Sequence, residues 1–357
     1  MEAEAPPLQT WRRIALDSPR AWGDAPATGT IRVEPADFLV EERLGFEPDG
    51  GEAHVLVLVE KTDANTLFVA RELAARAACA AGDVGFAGLK DRRAIARQWF
   101  SVRAVKGSAS LAGFAGDGYR VLAVHPHSRK LRRGALAGNR FRIRVRGLQG
   151  NAAALDARVA RIVSSGVPNY FGSQRFGAEG ANLGKVGQWL AHGRLPRGRE
   201  PRAFVLSAAR ALAFNAVLGE RVAAGSWNRL LPGEVVNLSG SQSVFAAEIL
   251  DDALQRRCHE GDIGPTGPLC GAGGVAPSGE AERVEKAALA IVEPLPGRLA
   301  ALGMRAARRA LVVRPAGLRH QLMPDAIELD FELPGGAFAT SLLRELVAAD
   351  VPDASVG

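Results

Sequence analysis

Gly138-Asn139-Arg140-Phe141-Arg142-Ile143-Arg144-Val145-Arg146 alternates cationic and apolar side chains without a break from Arg140 onward. Successive side chains of a strand point to opposite faces. Phe141, Ile143 and Val145 therefore share one face and the arginines the other, the pattern of a half-buried strand. The preceding stretch adds Arg129, Lys130, Arg132 and Arg133, and no acid interrupts the run from His127 to Arg146. A solvated arginine face accounts for the alternation alone. Charge of one sign over this length suits phosphate contact with RNA at least as well. Arg129, Lys130, Arg132, Arg133, Arg142 and Arg144 are the candidate RNA-contacting residues.

On the N-terminal side of this strand, residues 1–28 are rich in Pro and Ala and read as irregular at first. Stretches 30–33 and 38–42 alternate like short strands, and 54–60 is an apolar, β-branched run suited to a buried strand. Asn65 and Thr66 supply a helix N-cap. Leu67, Ala70, Leu73, Ala74 and Ala77 follow at helical spacing, and Gly82 is the expected terminator. A further strand is expected over 98–102.

On the C-terminal side, 152–163 reads as a helix with Leu155, Val159 and Ile162 on its apolar side, and 182–192 as another. Ser207 is expected to cap a long helix striped by Ala211, Phe214, Leu218 and Val222, with Gly225 just beyond its end. Residues 231–238 suggest a turn and a strand. The Gly- and Pro-rich stretch 261–280 reads as a long loop, 297–310 as a helix, and 311–313 and 327–333 as strands. A last helix is expected over 339–347, capped by Thr340 or Ser341, before a frayed end.

The 357 residues suffice for two domains, each with its own core, and the 47% hydrophobic content is that of a globular protein. A net charge of +7 and a pI near 9.8 make an anionic partner plausible. No run approaches the ~20 consecutive apolar residues that cross a bilayer. The first residues, Met1-Glu2-Ala3-Glu4-Ala5, lack an apolar signal core, so a cytoplasmic protein is expected, with no membrane partner. Cys79, Cys258 and Cys270 form no paired framework, and neither they nor the six histidines repeat a ligand spacing. No metal is expected.

One carboxylate stands in a strongly cationic setting. In Gly85-Phe86-Ala87-Gly88-Leu89-Lys90-Asp91-Arg92-Arg93-Ala94-Ile95-Ala96-Arg97-Gln98, Asp91 is flanked by Lys90 and Arg92, with Arg93 and Arg97 beyond. Cations at this distance favour the ionised acid. An ionised Asp on such a loop is a candidate nucleophile beside an anionic substrate. A surface Asp paired at a turn is the alternative that local sequence leaves open.

Six segments in order now bear on a family. They are Glu34-Pro35-Ala36-Asp37-Phe38-Leu39-Val40-Glu41-Glu42; Lys61 with Asn65-Thr66; the Asp91 segment; Gly138-Asn139-Arg140-Phe141; Gly166-Val167-Pro168-Asn169-Tyr170-Phe171-Gly172-Ser173-Gln174-Arg175-Phe176-Gly177; and Gly335-Gly336-Ala337-Phe338-Ala339-Thr340-Ser341-Leu342-Leu343-Arg344-Glu345-Leu346. Together the six resemble the TruD family of tRNA pseudouridine synthases across almost the whole chain. The resemblance implies an α+β fold: a pseudouridine synthase catalytic domain with a mixed β-sheet, interrupted by an inserted α/β TRUD domain. The implied boundaries are 1–164 for the first part of the catalytic domain, 165–314 for the insert and 315–357 for the second part.

What the resemblance implies for chemistry is an isomerase that converts uridine to pseudouridine, with uridine-13 of tRNA the usual bacterial substrate. The reaction breaks the N-glycosidic bond and joins C5 to C1′ with no atom gained or lost, so no cofactor is expected. Asp91 would be the essential carboxylate, adding to C6, attacking C1′, or abstracting the 2′ proton on a glycal route. The target base would have to leave the stack. Phe38, Asn139, Phe141 and Phe338 match substrate-contacting positions; Lys90, taken as substrate-binding, and Arg32 are candidate cationic partners, and Gln98 could orient the loop. Segment 169–176 would serve the domain junction or the RNA cleft. Asn139 would hydrogen-bond the base or orient Asp91. Ala96 stands where the family commonly has Thr. A monomer with tRNA as partner is expected. A non-catalytic RNA-binding protein and a synthase for another RNA remain alternatives, which substitution of Asp91 and a comparison of RNAs would separate.

Overall fold

The computed structural model describes residues 8–90, 94–104 and 110–350. The chain divides into two compact units. A sheet-centred unit comprises 26–156, 315–336 and the chain from 347 on; a helix-centred unit comprises the chain up to 25, 157–314 and 337–346.

The sheet-centred unit is built on strand Gly138–Gly150. Its alternation is realised as read: Phe141, Ile143 and Val145 are buried and the arginines lie on the other face. Strand Ala326–Pro334 pairs with it antiparallel on one side, and strands Phe38–Arg43 and Ala27–Ile31 also pair with it antiparallel. The sheet continues through Ile95–Arg103, His54–Thr62 and Tyr119–His127 to eleven strands among the described residues. It is mixed, because Phe38–Arg43 runs parallel to Ile95–Arg103 and Ala27–Ile31 parallel to Val347–Asp350. Helix Thr66–Arg76 covers one face, where Val69, Leu73, Phe86, Phe100 and Val102 form a core.

Asn65 caps that helix as expected, accepting the Leu67 N–H at 2.8 Å. Two details differ from the periodicity. Val69, not Leu67, faces the core, and the helix ends at Arg76, well before Gly82. The chain turns off where Ala78 takes a left-handed φ of 54°, so a non-glycine residue does the work assigned to Gly82. The C-terminal stretch differs too. Thr340 and Ser341 lie inside helix Ala339–Leu346, and Val347–Asp350 forms a strand beside Ala27–Ile31.

The helix-centred unit is organised by helix Arg199–Ala223. Its stripe Ala211, Phe214, Leu218 and Val222 is buried, and Gly225 follows at φ 63°. Ser207 is eight residues inside the helix rather than at its cap. By length and composition this helix could span a bilayer, yet 61% of its most apolar window is buried inside the structure. It packs with Trp11 of helix Leu8–Leu16, in a stretch read as irregular, and with Val186 and Trp189 of helix Ala181–His192. The predicted helix over 297–310 is two elements, helix Leu295–Ala301 and strand Ala307–Ala310.

The largest departure is strand Ile263–Leu269, expected to be loop. It carries Pro265 and Pro268 yet lies inside a four-stranded sheet, between Glu234–Leu238 and Ala307–Ala310. Proline removes ladder donors and is normally confined to sheet edges. Here side chains supply bonds the ladder lacks: the Thr266 hydroxyl donates to Val235 O, and Arg308 donates to Thr266 O at 2.9 Å. Gly267 admits the long helix, since a Cβ there would lie 2.9 Å from Leu311 and 3.0 Å from Phe214, both fully buried. Gly267→Ala is expected to destabilise the protein by about 1–3 kcal/mol, the usual cost of overpacking a close-packed core. Urea denaturation checks this, the midpoint falling at unchanged slope.

Candidate active site

The residues leading up to Asp91, as far as Lys90, are anchored by three strands and a helix of the sheet-centred unit. Asp91 itself, with Arg92 and Arg93, lies outside the described residues. Up to Lys90, the approaching chain is held from both sides. The Gln98 amide, fully buried on strand Ile95–Arg103, donates to Gly88 O at 2.7 Å. The Thr66 hydroxyl at the start of its helix donates to Gln98 Oε1 at 3.0 Å and accepts the Lys90 N–H at 3.2 Å. Gln98 and Thr66 thus together hold the segment from Gly88 to Lys90.

Lys90, Asn139 and Glu42 form the polar centre. Glu42 and Asn139 are direct partners across the pairing of Phe38–Arg43 with Gly138–Gly150, both on the face that carries Phe38, Val40 and Phe141. The Lys90 ammonium lies 2.9 Å from Glu42 Oε1 and donates to Asn139 Oδ1 at 2.7 Å. The other Glu42 oxygen accepts the Trp99 N–H at 2.9 Å. The Glu42 side chain has no solvent contact, and that of Lys90 is 10% exposed. An ammonium only donates. Asn139 must therefore turn its oxygen toward Lys90, and its NH2 becomes the group that can meet a ligand.

The aromatic residues lie beside this centre. Phe38 meets Phe141 edge-on at 6.2 Å, and Phe141 stacks on Phe331 at 5.4 Å. Phe38 and Phe141 are largely buried, at 4% and 7% exposure, so they pack into the face of the sheet rather than project from it. Arg32 places its guanidinium 4.4 Å over the Phe38 ring from a left-handed φ of 60°, a conformation that costs a non-glycine residue energy and is frequent at functional sites. Ala96 is fully buried in the sheet opposite Val40 and Lys61.

Phe338 is not among these residues. It belongs to the helix-centred unit, half-buried, 6.0 Å from Phe171 and with Arg175 5.8 Å over its ring. Phe171 also carries Arg309 at 4.2 Å. Burial, with Arg175 nearby, pushes the Arg309 guanidinium down to about 9. Asn169 accepts from Arg309 through its side-chain oxygen at 2.6 Å and its carbonyl at 3.2 Å. This motif therefore builds a cation–aromatic cluster within its own unit.

The candidate RNA-contacting residues fall into two groups. The sequence run of uncompensated charge is compensated in space, because strand Ala326–Pro334 sets acids opposite the arginines. Arg142 lies 3.5 Å from Asp330, Arg144 lies 3.0 Å from Glu328, and Arg140 grips Asp330 with two bonds of 2.9 Å. Arg129, Lys130, Arg132 and Arg133 are instead exposed on a connecting segment, with Arg133 over the Phe86 ring at 4.3 Å. That segment docks on the approach to Lys90: Leu131 N–H donates to Ser101 Oγ at 2.8 Å and Gly134 N–H to Ala87 O at 2.7 Å. A Cβ at Gly85 would lie 2.4 Å from Leu131 O, so glycine is what allows this close approach.

A family model described as tRNA pseudouridine synthase D (TruD) matches residues 19–198 and 199–346. The chain belongs to the TruD family. It is 45% identical over 336 residues to tRNA pseudouridine synthase D of Methylococcus capsulatus, covering 94% of this chain and 95% of that protein. It is 44% identical over 330 residues to the protein of the same name from Nitrosococcus oceani, covering 91% and 92%. A solved structure described as a putative tRNA pseudouridine synthase D from Methanosarcina mazei superposes with a TM-score of 0.70 at 22% identity, covering 96% of this chain and 98% of that one. Its likeness establishes the TruD fold, an α+β architecture with a mixed sheet. Within that family architecture the residue sequence reasoning passed over is Glu42, quoted inside a motif and given no role. An acid at an inward position of an alternating strand was the available signal.

The paired arginines make a pH prediction. Hydrogen bonding from Arg140 holds the Asp330 carboxyl below the usual carboxylate range. A depressed carboxylate stabilises the fold above its unfolded pKa, and the contribution disappears as pH falls through the folded value. Asp330→Asn should cost about 0.5–1 kcal/mol at neutral pH, the scale of a solvent-screened pair. The difference from wild type should shrink steadily below about pH 4, as read by urea melts across that range.

Proposed function

We propose that this protein isomerises uridine to pseudouridine in tRNA, at position 13, with Asp91 as the essential carboxylate. Family membership supports the reaction class. The observation that supports the site is the contact between Lys90, the residue before Asp91, and Asn139 Oδ1, which leaves the NH2 of that amide as the group able to donate to a ligand. Uracil offers two carbonyl oxygens to such a donor. Asp91 serves as nucleophile or base whichever of the three routes operates, since a carboxylate suits each. Phe38 and Phe141 form an apolar wall for the extruded base. The role of Phe338 as a further ring rests on the family resemblance. So do the reading of 165–314 as an insert in the catalytic domain and the expectation of a cytoplasmic monomer.

Pseudouridine mapping on unmodified tRNA, with no added cofactor, tests the proposal. Wild type is expected to convert one uridine, at position 13, while Asp91→Asn binds tRNA and converts none. Conversion by Asp91→Asn would remove Asp91 from the mechanism. Conversion at another position, or only in another RNA, would replace the substrate.

The division among the arginines makes a second prediction. Each lost phosphate contact lowers the slope of log affinity against log salt by about 1. Arg132→Ala/Arg133→Ala should therefore flatten the salt dependence of tRNA binding. Arg142→Ala/Arg144→Ala should change it less and cost stability instead, because those side chains are already engaged with Glu328 and Asp330. Filter binding across a salt series compares the two variants.

A further inference from the structure

We infer that Glu42 is a positioning residue for the proposed isomerisation: its buried carboxylate clamps the Lys90 ammonium so that Asn139 presents its NH2, not its oxygen, to the base. The inference rests on the function proposed above and extends it to a residue that touches neither the reacting atoms nor, by this reading, the substrate.

Three features of the geometry support it. First, the pair is dry. The Glu42 side chain has no solvent contact and that of Lys90 is 10% exposed, so the carboxylate is out of water and the ammonium largely so. Two ions taken out of water gain little net stability even when paired, and removing one leaves the other uncompensated. Second, Glu42 is itself fixed. Its strand pairs on both edges, and its second oxygen is occupied by the Trp99 N–H, so the carboxylate cannot swing away. Third, Lys90 is committed in two directions. Its backbone N–H is tied to Thr66 and its ammonium to Glu42 and Asn139. Side chain and main chain are thus anchored together at the residue before Asp91. Without Glu42, Lys90 loses the buried carboxylate 2.9 Å from its ammonium. The contact that orients the Asn139 amide loses its hold, and the amide is free to turn its oxygen toward a uracil carbonyl, which cannot accept from it.

The test uses the full-length chain and unmodified tRNA, with Glu42→Gln as the principal variant. It keeps the shape and an acceptor for Trp99 but removes the charge. Expected is a fall in kcat of about tenfold or more, short of the roughly 10²–10³ that outright removal of an oriented donor costs, with KM for tRNA within about twofold. Glu42→Asp, which restores the charge one methylene short, should recover part of kcat. An independent readout follows Lys90 directly. The chain has only six lysines, so acetylation of each by acetic anhydride can be followed by mass spectrometry. Lys90 should be labelled faster in Glu42→Gln than in wild type. Should Glu42→Gln melt early, Glu42→Gln/Lys90→Met removes both buried charges, and it should fold yet stay as slow as the single variant. Unchanged kcat with unchanged Lys90 labelling in Glu42→Gln would overturn the inference. So would a charge-free double variant with wild-type kcat, since Glu42 would then be serving stability alone. If wild type converts no uridine, the proposed function fails by itself, and the labelling comparison still decides whether Glu42 clamps Lys90.

Discussion

The register of strand Gly138–Gly150 is the constraint on which the sheet-centred unit depends. Side chains alternate with a period of two, so a slip of one residue would turn Asn139 and Phe141 to the arginine face and bring Arg140 and Arg142 into the core. Two kinds of interaction oppose the slip. On one face Phe141, Ile143 and Val145 are buried against neighbours that include Phe38 and Phe331. On the other, Arg140, Arg142, Arg144 and Arg146 each meet an acid from Ala326–Pro334 or from the Glu34–Asp37 turn. The bidentate Arg140–Asp330 bond is the most register-specific of these, because two parallel bonds fix both distance and direction. The same register places Asn139 directly opposite Glu42, and with that the polar centre is set.

This constraint also shows how far a sequence can be read. The alternation of Arg140 to Arg146 is local and was visible, as were the Asn65 cap and the buried stripe of the long helix. What escaped depends on partners distant in the chain. The arginine run looked uncompensated because its acids, Glu328 and Asp330, come almost two hundred residues later. Strand Ile263–Leu269 looked like loop because Gly and Pro are turn residues by local preference. Arg308 and Thr266 satisfy its backbone, and the long helix uses the space at Gly267, and neither fact is local. Glu42 was hidden for a related reason: beside Glu41 it resembles one of two surface acids, and only the pairing with Asn139 and the arrival of Lys90 give it a buried partner.

The same residue type therefore performs different physical tasks according to what faces it. Arginines on the sheet are matched by carboxylates and specify pairing, at a modest gain in stability for partly exposed ion pairs. On the proposed function, the exposed cations between Ser128 and Gly134 would contribute long-range attraction to an anionic polymer, an effect that salt screens. Because that segment is docked on Gly85 and Ala87, its charge is carried beside the stretch that leads to Lys90. Charge that holds the sheet and charge available to a phosphate are thus separated within twenty residues of sequence.

The Glu42–Lys90 pair is the least economical feature of the unit if stability were its only role. Dehydrating a carboxylate and an ammonium costs several kcal/mol each, and well-packed apolar residues of similar size often do as well or better. What an apolar pair cannot supply is direction. Lys90 has donors and no acceptor, Glu42 as a carboxylate has acceptors and no donor, and Asn139 has both. Set in that order, the first two leave the third a single low-energy orientation. The amide then presents NH2 groups before any substrate arrives, so no reorganisation is required at the moment a carbonyl must be held. The buried pair is explained better as the source of a fixed dipole at the residue before Asp91 than as a brace for the fold.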